Sequence, residues 1–164
     1  MYNRNRLCEY AALLNRRPNA VAEIFGNDEY PAIRGKVSFY RIKCSVLVSA
    51  EVSGLPADET DCGRRIFALH IHEGEMCTGN EADPFADAGV HYNPDNRPHP
   101  YHAGDMPPLF GNNGYAFSAF LTDRFSVEEI LGKTVIVHGG IDDFRTQPSG
   151  NAGSKIACGR IEKC

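Results

Sequence analysis

The chain has 164 residues, of which 42% are hydrophobic and 23% charged, a composition that excludes a largely disordered protein and predicts one domain with a sizeable core. A formal net charge of −4 without a basic block argues against nucleic acid as a partner. No apolar run is long enough to cross a membrane, so we expect no membrane partner.

The N-terminal segment predicts a short helix. Residues Asn5–Asn15 have an amphipathic pattern that ends before Pro18, a residue that a helix interior does not tolerate. The apolar stretch is short and contains Glu9, whereas a signal peptide needs a longer uncharged run. The absence of such a leader favours the cytoplasm and leaves an extracytoplasmic location open.

Seven strands are predicted along the rest of the chain, from runs of β-branched and aromatic residues bounded by turn residues. These strands are Ala20–Phe25, Arg34–Arg41, Ser45–Val52, Ile66–His72, Tyr115–Leu121, Thr134–His138 and Ile156–Ile161. Helical signals are few, although Ser126 and Glu129 have the spacing of a capping box and predict a single helical turn. Such a set predicts an all-β protein, an antiparallel sandwich or barrel.

Two long stretches do not follow the strand pattern. Residues 73–114 and 139–154 are rich in Gly, Pro, Asn and Asp. Loops of this length inside a compact domain are usually functional or anchored. We therefore expect two long functional loops between the strands.

All six histidines lie at a strand end or in the first of these loops, and the 69 residues before His70 contain none. His70 and His72 would share one face of a strand, because side chains two residues apart point to the same side. With one aspartate, the histidines form a set of seven side chains: His70, His72, His91, His99, His102, Asp105 and His138. This is a donor set for zinc or copper. Two four-coordinate sites need eight ligand bonds, unless one imidazole uses both of its ring nitrogens.

Five segments, HIHE, GVHYNP, HPYHAGD, VIVHGGIDDF and GNAGSKIACG, occur in the order found in the copper–zinc superoxide dismutases. The chain resembles this family, and its bacterial members most, from about residue 34 to 162. The resemblance implies a Greek-key β-barrel with copper and zinc as cofactors. It also implies conversion of superoxide to dioxygen and hydrogen peroxide by alternating reduction and oxidation of copper. Residues 1–33 then form an N-terminal extension with the short helix and the first strand, packed on a dismutase-like domain of residues 34–164, as one domain overall.

The resemblance also implies roles for individual residues. The implied copper ligands are His70, His72, His91 and His138, and the implied zinc ligands are His91, His99, His102 and Asp105. His91 would bridge the two metals and donate a proton to the forming peroxide. Asp142 would accept hydrogen bonds from His70 and His99, which fixes their ring orientation. Cys77 and Cys158 would form a disulfide.

One position departs from the family pattern. Lys155 stands where the family usually has an arginine above copper. Its charge should still attract the anionic substrate, but the planar guanidinium fork is lost. We expect reduced activity, most visibly at high ionic strength, where attraction is screened. Arg145 is expected to be an exposed loop cation, and Ser149 falls where the family carries a hydroxyl residue lining the channel.

Two alternatives and several cysteines stay open. The main alternative is a copper- and zinc-binding protein with a storage or structural role and little turnover. The second is a secreted β-sandwich binding protein whose histidines are incidental. Many family members are dimers, so a homodimer is also open. Cys44 could pair with Cys62, whereas Cys8 and Cys164 would be free or intermolecular.

Overall fold

The computed structural model describes residues 4–57 and 64–164. Within these ranges an N-terminal helix, α1 (Arg4–Leu14), is followed by strands and one further α-helical turn, α2 (Val127–Ile130). The strands are β1 (Ala20–Gly26), β2 (Arg34–Ile42), β3 (Ser45–Ser53), β4 (Arg64–His72), β5 (Asp105–Asn112), β6 (Tyr115–Thr122), β7 (Thr134–His138) and β8 (Lys155–Lys163). A short 3-10 turn, Ala86–Ala88, lies between β4 and β5.

The strands close into an antiparallel barrel in the order β1-β2-β3-β6-β5-β4-β7-β8. Because β3 pairs with β6 and β4 with β7, the connections cross the barrel ends in the Greek-key manner. Closure pairs β1 with both β2 and β8, so no described strand is left as an open edge. The predicted all-β barrel fold is therefore confirmed.

The core lies inside the barrel and follows from the alternation of the strands. Val46, Val48 and Ala50 of β3 point inward and are almost completely buried. Phe39 of β2 packs edge-on against Phe125, which precedes α2. Each of the seven predicted strands lies within two residues of an observed one.

Strand β5 corrects the sequence prediction, which left all of residues 73–114 as loop. This strand contains two adjacent prolines, Pro107 and Pro108. Proline cannot donate a ladder hydrogen bond, so the sequence did not predict a strand here. The structure accommodates both at a register shift, where Phe67 pairs with Leu109 and Leu69 with Met106. The prolines thus fall where the ladder is already interrupted, and the first loop ends at Asp105.

The predicted disulfide is present and ties the first loop to the barrel. Cys77 and Cys158 are bonded, with a Cα–Cα distance of 5.6 Å and 81 positions between them in the chain. They pack with Phe85, Ala88 and Ile136 in a small cluster apart from the main core. This cluster fixes the part of the loop that follows Cys77.

The other cysteines form no disulfide in the described part of the chain: Cys8, Cys44 and Cys164 are free. The predicted pairing of Cys44 with Cys62 lies outside the described residues, because Cys62 does. No helix among the described residues has both the length and the apolar character needed to cross a membrane.

Candidate metal centre

Neighbouring strand ends bring the histidines together. His70 and His72 lie on the same face at the end of β4, and β7, its neighbour in the barrel, ends at His138. His91 comes from the first loop and is held by an isolated bridge to His72. These four imidazoles are all nearly completely buried. Each contributes one ring nitrogen to a group whose members lie within 4.8 Å of one another.

Two carbonyls fix the protonation of the rings in this first cluster. His72 Nδ1 donates to the Gly89 carbonyl at 2.9 Å and His138 Nδ1 to the Gly153 carbonyl at 3.3 Å. Both Nε2 atoms therefore carry lone pairs in the neutral imidazoles. These two atoms face each other at 3.3 Å, an arrangement that repels unless a cation lies between them.

Two further nitrogens of the first cluster have no hydrogen-bond partner in the protein. His70 Nε2 donates to Asp142 Oδ2 at 2.9 Å, which leaves a lone pair on His70 Nδ1. His70 Nδ1 and His91 Nε2 are buried and make no hydrogen bond. A buried polar atom without a partner is costly, so these orphaned atoms fit a metal ion. Several imidazole nitrogens in one group are the donor set that copper(II) prefers.

A second cluster lies on the other side of His91. His91, His99, His102 and Asp105 each offer one ligand atom within 4.8 Å of the others. His99 Nε2 donates to Asp142 Oδ1 at 2.8 Å, so the lone pair of His99 Nδ1 faces Asp105 Oδ2 at 3.1 Å. A lone pair and a carboxylate oxygen this close repel each other unless a cation lies between them. Three imidazoles and one carboxylate are a closed tetrahedral set typical of zinc.

Asp142 links the two clusters. It is 2% exposed, and its two carboxylate oxygens accept from His70 and His99. Burial acts to raise the pKa of Asp142, but the hydrogen bonds from His70, the Phe144 amide and His99 outweigh it, and the pKa lies well below its ordinary value. The carboxylate is therefore charged at neutral pH and holds both rings by their outer nitrogens.

Gly150 makes room for this carboxylate. Its φ is +69°, and a Cβ there would lie 1.9 Å from Asp142 Oδ1 and 2.6 Å from His99 Nε2. Only glycine satisfies both the left-handed backbone and the close approach.

The pKa shifts keep the imidazoles neutral and able to bind a metal. Burial, followed by the neighbouring His70, lowers the pKa of His138 to about 3. Burial and the adjacent His138 hold the pKa of His72 well below its ordinary value of 6.5. Neutral imidazole is the form that ligates metal ions.

A cavity of about 860 Å³ opens on the first cluster, with His72, His91 and His138 in its lining. Ser149 lines the cavity, in agreement with the sequence prediction. Lys155 also lines it, at the start of β8. Arg145 is exposed, as expected, and does not line the cavity.

Two residues near the clusters were missed by sequence reasoning. Asp83 accepts from Lys155 Nζ at 2.7 Å, and Arg124 donates through Nη1 to the carbonyls of Pro100, His102 and Asp105 at 3.1–3.3 Å. Asp83 is 72 positions from its partner, and neither residue belongs to a motif. No local pattern in the sequence could have identified them.

Comparisons with known proteins agree with this centre. The family model for copper/zinc superoxide dismutase (SODC) matches residues 33–161. Superoxide dismutase [Cu-Zn] 1 of Aquifex aeolicus is 31% identical over 143 residues, covering 78% of this chain and 79% of the relative. The superoxide dismutase [Cu-Zn] of Deinococcus radiodurans is 32% identical over 150 residues, covering 80% and 79%. That of Legionella pneumophila is 30% identical over 149 residues, covering 86% and 85%. On these matches, the chain belongs to the copper/zinc superoxide dismutase family.

Proposed function

We propose that this chain converts superoxide to dioxygen and hydrogen peroxide, with copper held by the first cluster and zinc by the second. The copper ligands are His70, His72, His91 and His138, and the zinc ligands are His91, His99, His102 and Asp105. The observation that carries this proposal is the membership of His91 in both clusters. One imidazole has two ring nitrogens and can therefore serve a metal on each side.

Bound copper supplies an electron acceptor for one superoxide and an electron donor for the next, while zinc does no redox chemistry. The protein would supply a proton donor and the fixed geometry. His91 Nε2 has no hydrogen-bond partner in the protein, so when it is not ligating copper this atom could take a proton from solvent and pass it to the reduced substrate, whose second proton would come from solvent. Asp105 Oδ1 lies 2.8 Å from His91 Nδ1, so these two atoms would hold zinc on the other side of the ring.

The surrounding groups keep the ligands in place during turnover. Asp142 holds His70 and His99, and the Gly89 carbonyl holds His72. Such outer partners fix the tautomer and the orientation of each ring. Lys155 is the cation that meets the substrate in the cavity, since it lines the wall beside the histidines.

Metal analysis combined with an activity assay tests the proposal. The protein is reconstituted with copper and zinc, its metal content is measured, and superoxide consumption is followed by stopped-flow absorbance. We expect one copper and one zinc per chain and turnover well above that of free copper in buffer. His91→Ala should lose turnover and weaken both metals, because each cluster loses a ligand.

A storage or structural role is not favoured by the family match. A fully loaded protein that consumes superoxide no faster than buffer would support that alternative and reject the proposal. If His91→Ala kept both metals, the assignment of His91 as a ligand shared by copper and zinc would be wrong.

The assembly that we propose is a homodimer. Phe110 of β5 and Phe117 of β6 lie on the two strands that the Asn112–Tyr115 pair joins. These rings are 62% and 54% exposed. Exposed aromatic side chains on neighbouring strands are typical of protein–protein contacts. Sedimentation equilibrium of the wild type and of Phe117→Ser tests this, and a wild-type monomer at micromolar concentration would reject it.

A further inference from the structure

The charge of Lys155 is already paired in the protein. Its Nζ donates to Asp83 Oδ2 at 2.7 Å and to the Phe85 carbonyl at 3.0 Å. The side chain of Lys155 is 14% exposed and that of Asp83 is 40% exposed, so water screens this pair mainly from the side of the carboxylate. Two of the three ammonium protons are thus directed into the loop after Cys77, which leaves one for an incoming anion.

Asp83 is held firmly as the counter-ion. Its Oδ1 accepts from the Phe85 amide at 3.1 Å, and its backbone amide donates to Asn80 Oδ1 at 3.1 Å. Its carbonyl accepts from the amides of Asn80 and Ala86. Phe85 in turn packs in the disulfide cluster. The carboxylate is therefore fixed next to the ammonium before any substrate enters.

The mouth of the cavity is acidic. Glu29, Glu73 and Glu81 line it and are exposed. Among the described residues, Lys155 is the one Lys or Arg in the lining. With Asp83 offsetting Lys155, the charged side chains facing the cavity are net negative. Apart from the charge of the bound metals, these side chains would repel an incoming anion over about one Debye length, roughly 8 Å at physiological ionic strength.

We propose that Asp83 is a positioning residue that holds Lys155 against the cavity wall and offsets its charge, so that the site attracts anions weakly. The inference rests on the proposed function, and it reverses the salt dependence expected from Lys155 alone. Screening should weaken the repulsion by the acidic mouth, and the rate of superoxide consumption should rise with ionic strength.

Anion binding and salt dependence test the role of Asp83. Wild type, Asp83→Asn and the control Asp87→Asn are loaded with copper and zinc. Sodium azide is titrated against the copper(II) absorption, and dismutation is measured between about 10 and 200 mM NaCl. Asparagine keeps the oxygen that accepts from Phe85. Asp87 lies in the same loop but bonds Thr78 and does not line the cavity.

Asp83→Asn removes the negative charge that lies 2.7 Å from Lys155 Nζ. This change should tighten azide binding by about two- to five-fold at low salt. A loosened loop would weaken azide binding instead, so a tighter complex separates this role from a structural one. Asp83→Asn should also lose the rise of rate with salt, whereas Asp87→Asn should match the wild type.

Two results would overturn the inference: azide affinity unchanged in Asp83→Asn, or a wild-type rate that falls as salt increases. The second result needs no variant and stands even if Asp83→Asn folds poorly. An inactive loaded wild type would reject the proposed function, while the azide titration would still decide the role of Asp83.

Discussion

At the scale of single residues, the centre depends on close approaches that only particular side chains allow. Gly150 lies against the carboxylate of Asp142, which holds one histidine from each cluster. A methyl group at this position would displace the carboxylate and release His70 and His99 together. The substitution should weaken metal binding more than it weakens folding, because the loop around Gly150 lies outside the main core.

Gly150→Ala is therefore expected to weaken both metals by about 10- to 100-fold, as loss of an outer partner does. Chelator competition for copper and zinc measures this. Gly132→Ala is the matched control, because Gly132 has a φ of +83° and its nearest neighbour would lie 3.8 Å from the new Cβ. That control should cost about 1 kcal/mol of stability from backbone strain alone. Equal metal affinities in the two variants would contradict the crowding argument.

At the scale of elements, α2 shows a local signal that holds in the structure. Ser126 Oγ accepts from the Glu129 amide at 3.4 Å, and Glu129 Oε2 accepts from the Ser126 amide at 2.6 Å. The Ser126 hydroxyl, followed by the Ser126 amide, holds the pKa of Glu129 below its ordinary value of 4.5. The capping box predicted from sequence is confirmed. The hydrogen bonds that the Glu129 carboxylate accepts are strongest when that carboxylate is charged.

Ser126→Ala should cost about 1 kcal/mol of unfolding free energy at neutral pH. Because the pKa of Glu129 is lower in the folded protein, its stabilisation is fully present above the ordinary value of 4.5. It is lost as pH falls through the lowered folded value. The difference between wild type and Ser126→Ala should therefore shrink in acid, as urea unfolding at pH 7 and at progressively lower pH would reveal. A difference that stays constant with pH would show that the Ser126 hydroxyl gains nothing from the charge of Glu129.

Elements also show where sequence reasoning succeeds and where it cannot. The histidines of β4 were predictable, because a strand places residues 70 and 72 side by side. Strand β5 was not predictable, because Pro107 and Pro108 argue against a strand. Only the structure shows the register shift in β4 that accommodates them. The pairing of Asp83 with Lys155 depends on how a loop folds onto β8, and strand periodicity carries no information about that.

At the scale of the whole molecule, the disulfide joins the barrel to the loop that surrounds the copper-side cluster. The segment after Cys77 carries Gly89, whose carbonyl holds His72, and Asp83, which holds Lys155. Cys158 anchors this segment to β8, in the wall of the barrel. Stability and copper binding should therefore depend on the same bond.

Cys77→Ser/Cys158→Ser should lose roughly 4–5 kcal/mol of stability, because the bond closes a loop of 81 positions in the unfolded chain. Its copper affinity should fall more than its zinc affinity. The Gly89 carbonyl lies in the released segment, whereas His99, His102 and Asp105 are anchored by Arg124 and Asp142. Guanidinium unfolding and chelator competition measure both effects, with exposed Cys44→Ser as the control. Parallel losses of copper and zinc affinity would mean that the disulfide supports the fold as a whole and has no particular effect on the copper side.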